Sequence, residues 1–163
     1  MTETPTPAEL RDLAAAQGVA ATLHPANRPM PTVEAAAEAI GVPVQAMTKN
    51  IVWIVAGEPV LAIAAGLARI DDRALARRFG VARAKVGMAS PEPALEITGF
   101  AVGCMPSFGH RIRLPTLVDT AVLHLARVYG GTGDPAVLIS LATDDLLRLT
   151  GGEPLSICRA EPA

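Results

Sequence analysis

Residues 47–65, MTKNIVWIVAGEPVLAIAA, contain two apolar runs on either side of a short Gly-Glu-Pro turn. The runs 47–56 and 60–65 are rich in Ile and Val, and this composition favours strands that are buried on both faces of a sheet. A membrane span over 51–68 is the alternative interpretation, but Glu58 near its middle would cost about 2.5–3.5 kcal/mol in a bilayer. We therefore predict a buried hairpin and no membrane segment.

Helix and strand signals alternate around this hairpin. Helix caps and glycine stops predict helices over 7–17, 32–40, 71–79, 90–97 and 143–149. Apolar runs predict further strands at 19–24, 84–89, 114–118, 127–130 and 136–141. No linker or repeat divides the chain. The pattern predicts a single α/β domain over residues 1–163, in which a mixed sheet is flanked by helices.

The composition narrows the class of protein. Of the 163 residues, 50% are hydrophobic and only 3% are aromatic, the formal net charge is −2 and the mean hydropathy is +0.35. A chain this apolar and this weakly charged is not disordered. The few aromatic residues and the absence of net positive charge disfavour a protein that wraps duplexes or stacks on bases.

The cysteines and histidines form no recognisable motif. Cys104 and Cys158, together with three scattered histidines, have neither the spacing of a disulfide framework nor that of a zinc site. The first ten residues, MTETPTPAEL, lack the basic and apolar segments of a signal peptide. We expect a soluble, cytoplasmic protein without a metal site.

Lys49 is a candidate site residue because it is one of only two lysines and directly precedes the first buried strand. An ammonium group at the mouth of a strand could hold a carboxylate, a phosphate or a carbonyl as a point charge. The alternative is an ordinary exposed lysine at a strand end, and position alone favours that alternative.

The loop 103–110, GCMPSFGH, is a second candidate. Glycines allow close approach of the main chain to a ligand, and successive N–H groups can cradle an anion or a developing oxyanion. A surface turn is an equally good interpretation. Within the loop, Cys104 fits a small buried hydrophobe better than a nucleophile. His110 could be a general base or a hydrogen-bonded residue at the rim.

Positive charge is concentrated between residues 69 and 85. Six basic residues stand there against Asp71 and Asp72, a local +4: Arg69, Arg73, Arg77, Arg78, Arg83 and Lys85. Arg111 and Arg113 follow the glycine loop. A solvated helix face is the default explanation, but a cluster of this size would also suit a few phosphates at the end of a nucleic acid.

In their order along the chain, these elements resemble the YbaK-type aminoacyl-tRNA deacylases, relatives of the editing domain of bacterial prolyl-tRNA synthetase. The matching motifs are TVEAA at 32–36 with GVP at 41–43, Lys49 with NIV at 50–52, ASPE at 89–92, TGF at 98–100, the loop 103–110, PTLVD at 115–119 and VY at 128–129. The resemblance covers roughly residues 31–152. Each motif is weak alone, but the ordered set is fairly specific.

The resemblance implies a compact α/β domain around a mixed, curved sheet. Members of this family hydrolyse the ester that joins a wrong amino acid to the terminal ribose of a tRNA, often a tRNA for proline. The resemblance implies no metal, no cofactor and no covalent intermediate. The expected partners are the acceptor end of an aminoacyl-tRNA and an aminoacyl-tRNA synthetase, and the expected state is a monomer or a weak homodimer.

The resemblance also suggests roles for individual residues. Lys49 matches the family's key polar residue, and N–H groups at Gly103 and Gly109 would hold the carbonyl or the attacking water. The remaining substrate-binding candidates are Met105, Pro106, Phe108, His110, Asp119 and Gly131. The candidates for contact with tRNA phosphates are Arg73, Arg77, Arg78 and Arg111.

Some positions depart from the family pattern. Cys104 and Ser107 stand where many relatives have glycine and proline. Gly131 replaces a small polar residue, and Leu138 an acidic residue, that are typical of the cysteine-clearing branch of the family. These two replacements favour alanine, serine or threonine over cysteine as the acyl group. Two other functions stay open: a non-catalytic module that binds tRNA or a synthetase, and a small-molecule esterase.

Overall fold

The computed structural model describes residues 3–160, so residues 1–2 and 161–163 of the expected domain lie outside the described range. This part of the chain contains five α-helices: α1 (Pro7–Ala16), α2 (Val33–Ile40), α3 (Asp72–Phe79), α4 (Pro91–Thr98) and α5 (Thr143–Thr150). All five predicted helices are confirmed, each within two residues of its predicted ends. None of these helices has the length and apolar character that crossing a bilayer requires.

Residues 3–160 also contain eight strands, which lie between and after the helices along the chain. They are β1 (Thr22–Pro25), β2 (Thr48–Val55), β3 (Glu58–Ala65), β4 (Val86–Met88), β5 (Thr116–Asp119), β6 (Arg127–Gly131), β7 (Val137–Ala142) and β8 (Glu153–Leu155). A five-stranded sheet has the order β4-β2-β3-β5-β8, and a three-stranded sheet has the order β1-β7-β6.

The predicted hairpin of β2 and β3 lies at the centre of the five-stranded sheet. Its antiparallel register runs from the pair Thr48–Ala65 to the pair Val55–Glu58. Ala56 and Gly57 turn the chain with φ of +48° and +86°. Positive φ at both turn positions is the geometry of a type I′ turn, whose twist matches that of the flanking strands.

The sheet is mixed, as predicted, because β3 pairs in parallel with β5 and β5 with β8. The strands are divided between two sheets rather than joined in one, and an isolated parallel bridge between Met47 and Tyr129 links the two. Strand β8 was not predicted from the sequence. It contains Pro154, which interrupts a central strand but is tolerated at the edge of a sheet, where β8 lies.

Side chains of β2 alternate between two cores, as the pleat of a strand requires. Val52 packs in the larger core between the sheets, with Val128 of β6 and Ile139 of β7. Trp53 packs on the other side, in a core that includes Leu75 of α3. A third, smaller core joins α2 to β7. By this alternation, Asn50 faces the larger core and Lys49 the opposite side.

Candidate active site

A cavity of about 310 Å³ lies beside the N-terminal half of β2. The short strand β4 pairs with Trp53–Val55 and does not extend along the first half of β2. The walls come from β2, the glycine loop, α2 with its preceding loop, and the β6–β7 region: Thr48, Lys49, Asn50 and Ile51; Gly103, Cys104 and Met105; Met30, Pro31, Thr32, Val33 and Ala36; Gly131, Asp134, Pro135 and Leu138, with Met47 completing the lining.

Lys49 lines this cavity and is half-buried. Burial is the main cause that lowers the pKa of Lys49 below its ordinary value, and the positive charge of Arg69 adds to this effect. Cys158 and Glu34 act in the opposite direction and raise the pKa. A partly desolvated amine interacts more strongly with an anion or a carbonyl than an amine in water does.

Asn50 holds the glycine loop against β2. Its Nδ2 donates to the carbonyl oxygen of Met105 at 2.8 Å, and its Oδ1 accepts from Ser107 Oγ at 2.8 Å. All three residues are buried. Asn50 was not among the predicted site residues, although an amide inside an otherwise apolar strand was the signal that could have identified it.

The start of the glycine loop packs closely on the end of β6. The N–H of Gly133 donates to the carbonyl oxygen of Cys104 at 2.8 Å. A Cβ placed on Gly131 would lie 2.5 Å from that same oxygen and 2.9 Å from the carbonyl oxygen of Met105. Gly131 therefore permits an approach of the loop that any side chain would obstruct.

Cys104 lies in the cavity wall, and its Sγ donates to the carbonyl oxygen of Gly133 at 3.3 Å. Burial, with a smaller effect of Asp134, raises the pKa of the Cys104 thiol. A raised pKa keeps the thiol protonated and disfavours its use as a nucleophile.

The second half of the loop lies on a different cavity. Phe108, Gly109 and His110 line a space of about 180 Å³ together with Leu13 of α1. His110 Nε2 is 2.8 Å from the carbonyl oxygen of Pro106, and burial lowers the pKa of His110. The candidate residues of the loop are therefore divided between two cavities.

The reason for this division is the position of the anchoring bonds. Asn50 fixes the loop at Met105 and Ser107, so the residues before this point face the β2 cavity and those after it approach α1. Pro106 is buried between the two groups. Of the loop residues, Gly103, Cys104 and Met105 share the cavity of Lys49, and only the first and last of these were predicted to contact substrate.

The side chain of Asp119 is occupied by hydrogen bonds from main-chain N–H groups. It is buried, and its Oδ1 accepts from the N–H groups of Ile157 at 3.0 Å and Cys158 at 3.2 Å. Its Oδ2 accepts from the N–H of Ala121 at 3.2 Å. The bond from Ala121 caps the following short turn, which the residue type of Asp119 indicates, whereas the contact with the C-terminal segment was not predicted.

The four predicted phosphate contacts differ in their surroundings. Arg78 is paired with Glu153, with Nη2 and Oε1 2.7 Å apart. Arg111 Nη1 donates to the carbonyl oxygen of Glu96 at 3.0 Å. Arg73 and Arg77 are exposed on α3 and have no ion-pair partner within residues 3–160.

The fold and the lysine-lined cavity define a compact α/β domain with one small, partly apolar site at the junction of two sheets. The chain belongs to the aminoacyl-tRNA editing domain family, whose model matches residues 27–149. The resemblance inferred from the ordered motifs is thereby confirmed.

Individual relatives agree with this assignment. The uncharacterized protein YwhH of Bacillus subtilis (strain 168) is 33% identical over 116 residues, which span 71% of this chain and 72% of YwhH. A candidate trans-editing enzyme for prolyl-tRNA synthetase superimposes with a TM-score of 0.84 at 26% identity, covering 98% of this chain and 100% of that one. The hypothetical protein APE2540 shares the fold, with a TM-score of 0.85 at 24% identity over 92% of this chain and 99% of its own.

Proposed function

We propose that the protein is a trans-editing deacylase that hydrolyses the ester of a mischarged tRNA, with a tRNA for proline that carries alanine, serine or threonine as its substrate. The observation that carries this proposal is the half-buried Lys49 in the wall of a cavity of about 310 Å³ in an aminoacyl-tRNA editing domain. The similarity to a candidate trans-editing enzyme for prolyl-tRNA synthetase supports the choice of tRNA.

Lys49 would act on the terminal nucleotide or on the ester carbonyl. Its amine lies in a partly desolvated position, where a hydrogen bond to a phosphate or carbonyl oxygen gains strength. An aminoacyl ester is already activated, so one stabilised oxyanion and one positioned water are sufficient for hydrolysis.

The first half of the glycine loop would supply the main-chain donors. Gly103 lines the cavity and has a φ of +97°, which turns the chain at the cavity wall. Asn50 keeps this part of the loop in place through Met105. The ribose hydroxyl next to the ester would assist the transfer of the proton to the leaving oxygen.

The size of the acyl group would be limited by apolar side chains. Met105 and Leu138 are buried walls of the cavity, and Met30 lies at its α2 end. Leu138 offers no charge to a substrate thiol or ammonium group. A small aliphatic or hydroxylated acyl group fits this environment better than a large or charged one.

The test is the hydrolysis of a panel of tRNAs that carry different amino acids. We expect the wild-type protein to release alanine, serine or threonine from tRNA for proline, and Lys49→Ala to reduce kcat by 10² or more. Lys85→Ala is the matched control, because Lys85 is the second of the two lysines and is exposed on the surface.

Each other outcome identifies a different function. Tight tRNA binding without turnover by the wild-type protein would favour a non-catalytic module. Turnover of simple esters alone would favour a small-molecule esterase. Equal rates for Lys49→Ala and the wild-type protein would remove the proposed role of Lys49.

A further inference from the structure

The C-terminal segment 156–160 lies beside the end of β3, outside the residues that the family model matches. Ile157 is fully buried, and Cys158 forms an antiparallel bridge with Ile70. The N–H of Arg159 donates to the carbonyl oxygen of Arg69 at 2.7 Å. The segment is thus fixed by main-chain bonds, and its arginine is held next to Arg69.

Arg159 also borders the beginning of α3. Arg73, Arg83 and Arg159 line an open cavity of about 330 Å³ together with Asp71 and Asp72. Both carboxylates have partners: Asp71 binds the main chain of α3, and Asp72 pairs with Arg83. Asp71 Oδ1 accepts from the N–H of Arg73 at 3.0 Å, and Asp72 Oδ2 is 3.0 Å from Arg83 Nε.

Near this cavity, Arg69, Arg73 and Arg159 have no ion pair within the described residues 3–160. All three side chains are exposed. Burial is the main cause of the lowered pKa of Lys49, and the positive charge of Arg69 lowers this pKa further. Arg69 is therefore near both Lys49 and Arg159, and Arg159 lines a second cavity together with Arg73.

We propose that Arg69, Arg73 and Arg159, here called the basic surface, bind successive phosphates of the RNA strand whose 3′ end enters the Lys49 cavity. Guanidinium groups match phosphate oxygens in a bidentate geometry, and none of these three forms an ion pair within residues 3–160, although Asp71 and Asp72 line the same cavity as Arg73 and Arg159. This inference rests on the proposed function and adds the C-terminal segment to the tRNA-binding site. Its physical signature is the release of counterions, which makes binding depend on salt.

The experiment measures the binding of uncharged tRNA by fluorescence anisotropy over a series of salt concentrations, together with deacylation kinetics. The variant Arg69→Gln/Arg159→Gln keeps the main-chain bond between the two residues. Arg148→Gln is the matched control, because Arg148 is equally exposed but lies on α5 and pairs with Asp145 at 2.7 Å.

The double variant is expected to bind tRNA several-fold more weakly at low salt. The slope of log K against log salt should become shallower by about 0.7 to 0.9 for each arginine removed. In deacylation, the change should be larger in KM than in kcat, because the basic surface holds the strand and does not touch the ester.

Unchanged affinity and salt slope in the double variant would overturn the inference, and so would an equal loss in Arg148→Gln. If the wild-type protein deacylates tRNA and the double variant has the same KM, only the basic surface is refuted. If the wild-type protein neither binds nor deacylates tRNA, the proposed function falls as well.

Discussion

The Asn50 side chain bonds to the carbonyl oxygen of Met105 at 2.8 Å, across 55 positions of the sequence. This bond joins the strand that carries Lys49 to the loop that forms the facing wall of the cavity. The position of this loop relative to the strand that carries Lys49 therefore depends on one buried amide.

Replacement of Asn50 tests this dependence. Asn50→Ala leaves the oxygen of Met105 and the hydroxyl of Ser107 without their partner, so we expect a loss of about 1–3 kcal/mol in the free energy of unfolding. Deacylation should fall as well, because the loop is released. Urea unfolding gives the stability, and Ser107→Ala, which removes only one bond, should lose less. A stability equal to wild type would show that the amide does not hold the loop.

Gly131→Ala tests the packing of the loop on β6. The added Cβ would stand 2.5 Å from the carbonyl oxygen of Cys104, so the loop must move. We expect a cost of about 1–3 kcal/mol in stability and slower deacylation. Gly87→Ala is the control, because a Cβ there meets no atom within 4 Å. Identical unfolding midpoints for the two variants would contradict the tight contact.

The stability of the protein should decline in mild acid. Burial lowers the pKa of His24 and of His110 from the ordinary value of 6.5, and Arg127 lowers that of His24 further. The unfolded chain then binds protons more readily than the folded one. Stability from both groups is complete above pH 6.5 and is lost as the pH falls through 6.5 towards the lower folded values. Urea midpoints between pH 5 and 8 measure this, and His110→Gln should flatten the curve.

The carboxylate of Asp119 contributes to the raised pKa of the Cys158 thiol. Burial and the neighbouring carboxylate raise the pKa of Cys158 to about 12. Asp119→Asn keeps an oxygen acceptor but removes the charge, so the pKa of the thiol should fall and alkylation at pH 9 should be faster. Mass spectrometry of the labelled peptides gives the rate, with Cys104 as the internal reference. A rate at Cys158 that does not change would indicate that burial alone protects the thiol.

Local features of the fold were predictable because they depend on neighbours in sequence. Thr32 accepts a hydrogen bond from the N–H of Ala35 at the start of α2, and Asp71 caps α3, as their residue types indicated. The central hairpin followed from two apolar runs separated by turn residues, although the turn lies at Ala56 and Gly57 and the predicted turn residues Glu58 and Pro59 belong to β3. Lys49 could be named as a candidate site residue because its signal is also local: it is a charged residue at the start of an apolar strand.

Long-range relationships were not predictable in this way. The division of the loop between two cavities follows from the bonds of Asn50 to Met105 and Ser107, which no local pattern encodes. The structural role of Asp119 depends on the C-terminal segment, 38 positions away at Ile157. Periodicity and capping describe neighbours along the chain, whereas both of these contacts depend on how distant elements pack.

The bridge between Met47 and Tyr129 joins the two sheets next to the cavity. One wall belongs to the core between the sheets and the other to the smaller core under α2. The width of the cavity is therefore set by the angle at which the sheets meet. If the proposed function holds, a change of side-chain volume at Val128 or Leu141, in the core between the sheets, would therefore alter the preference among acyl groups.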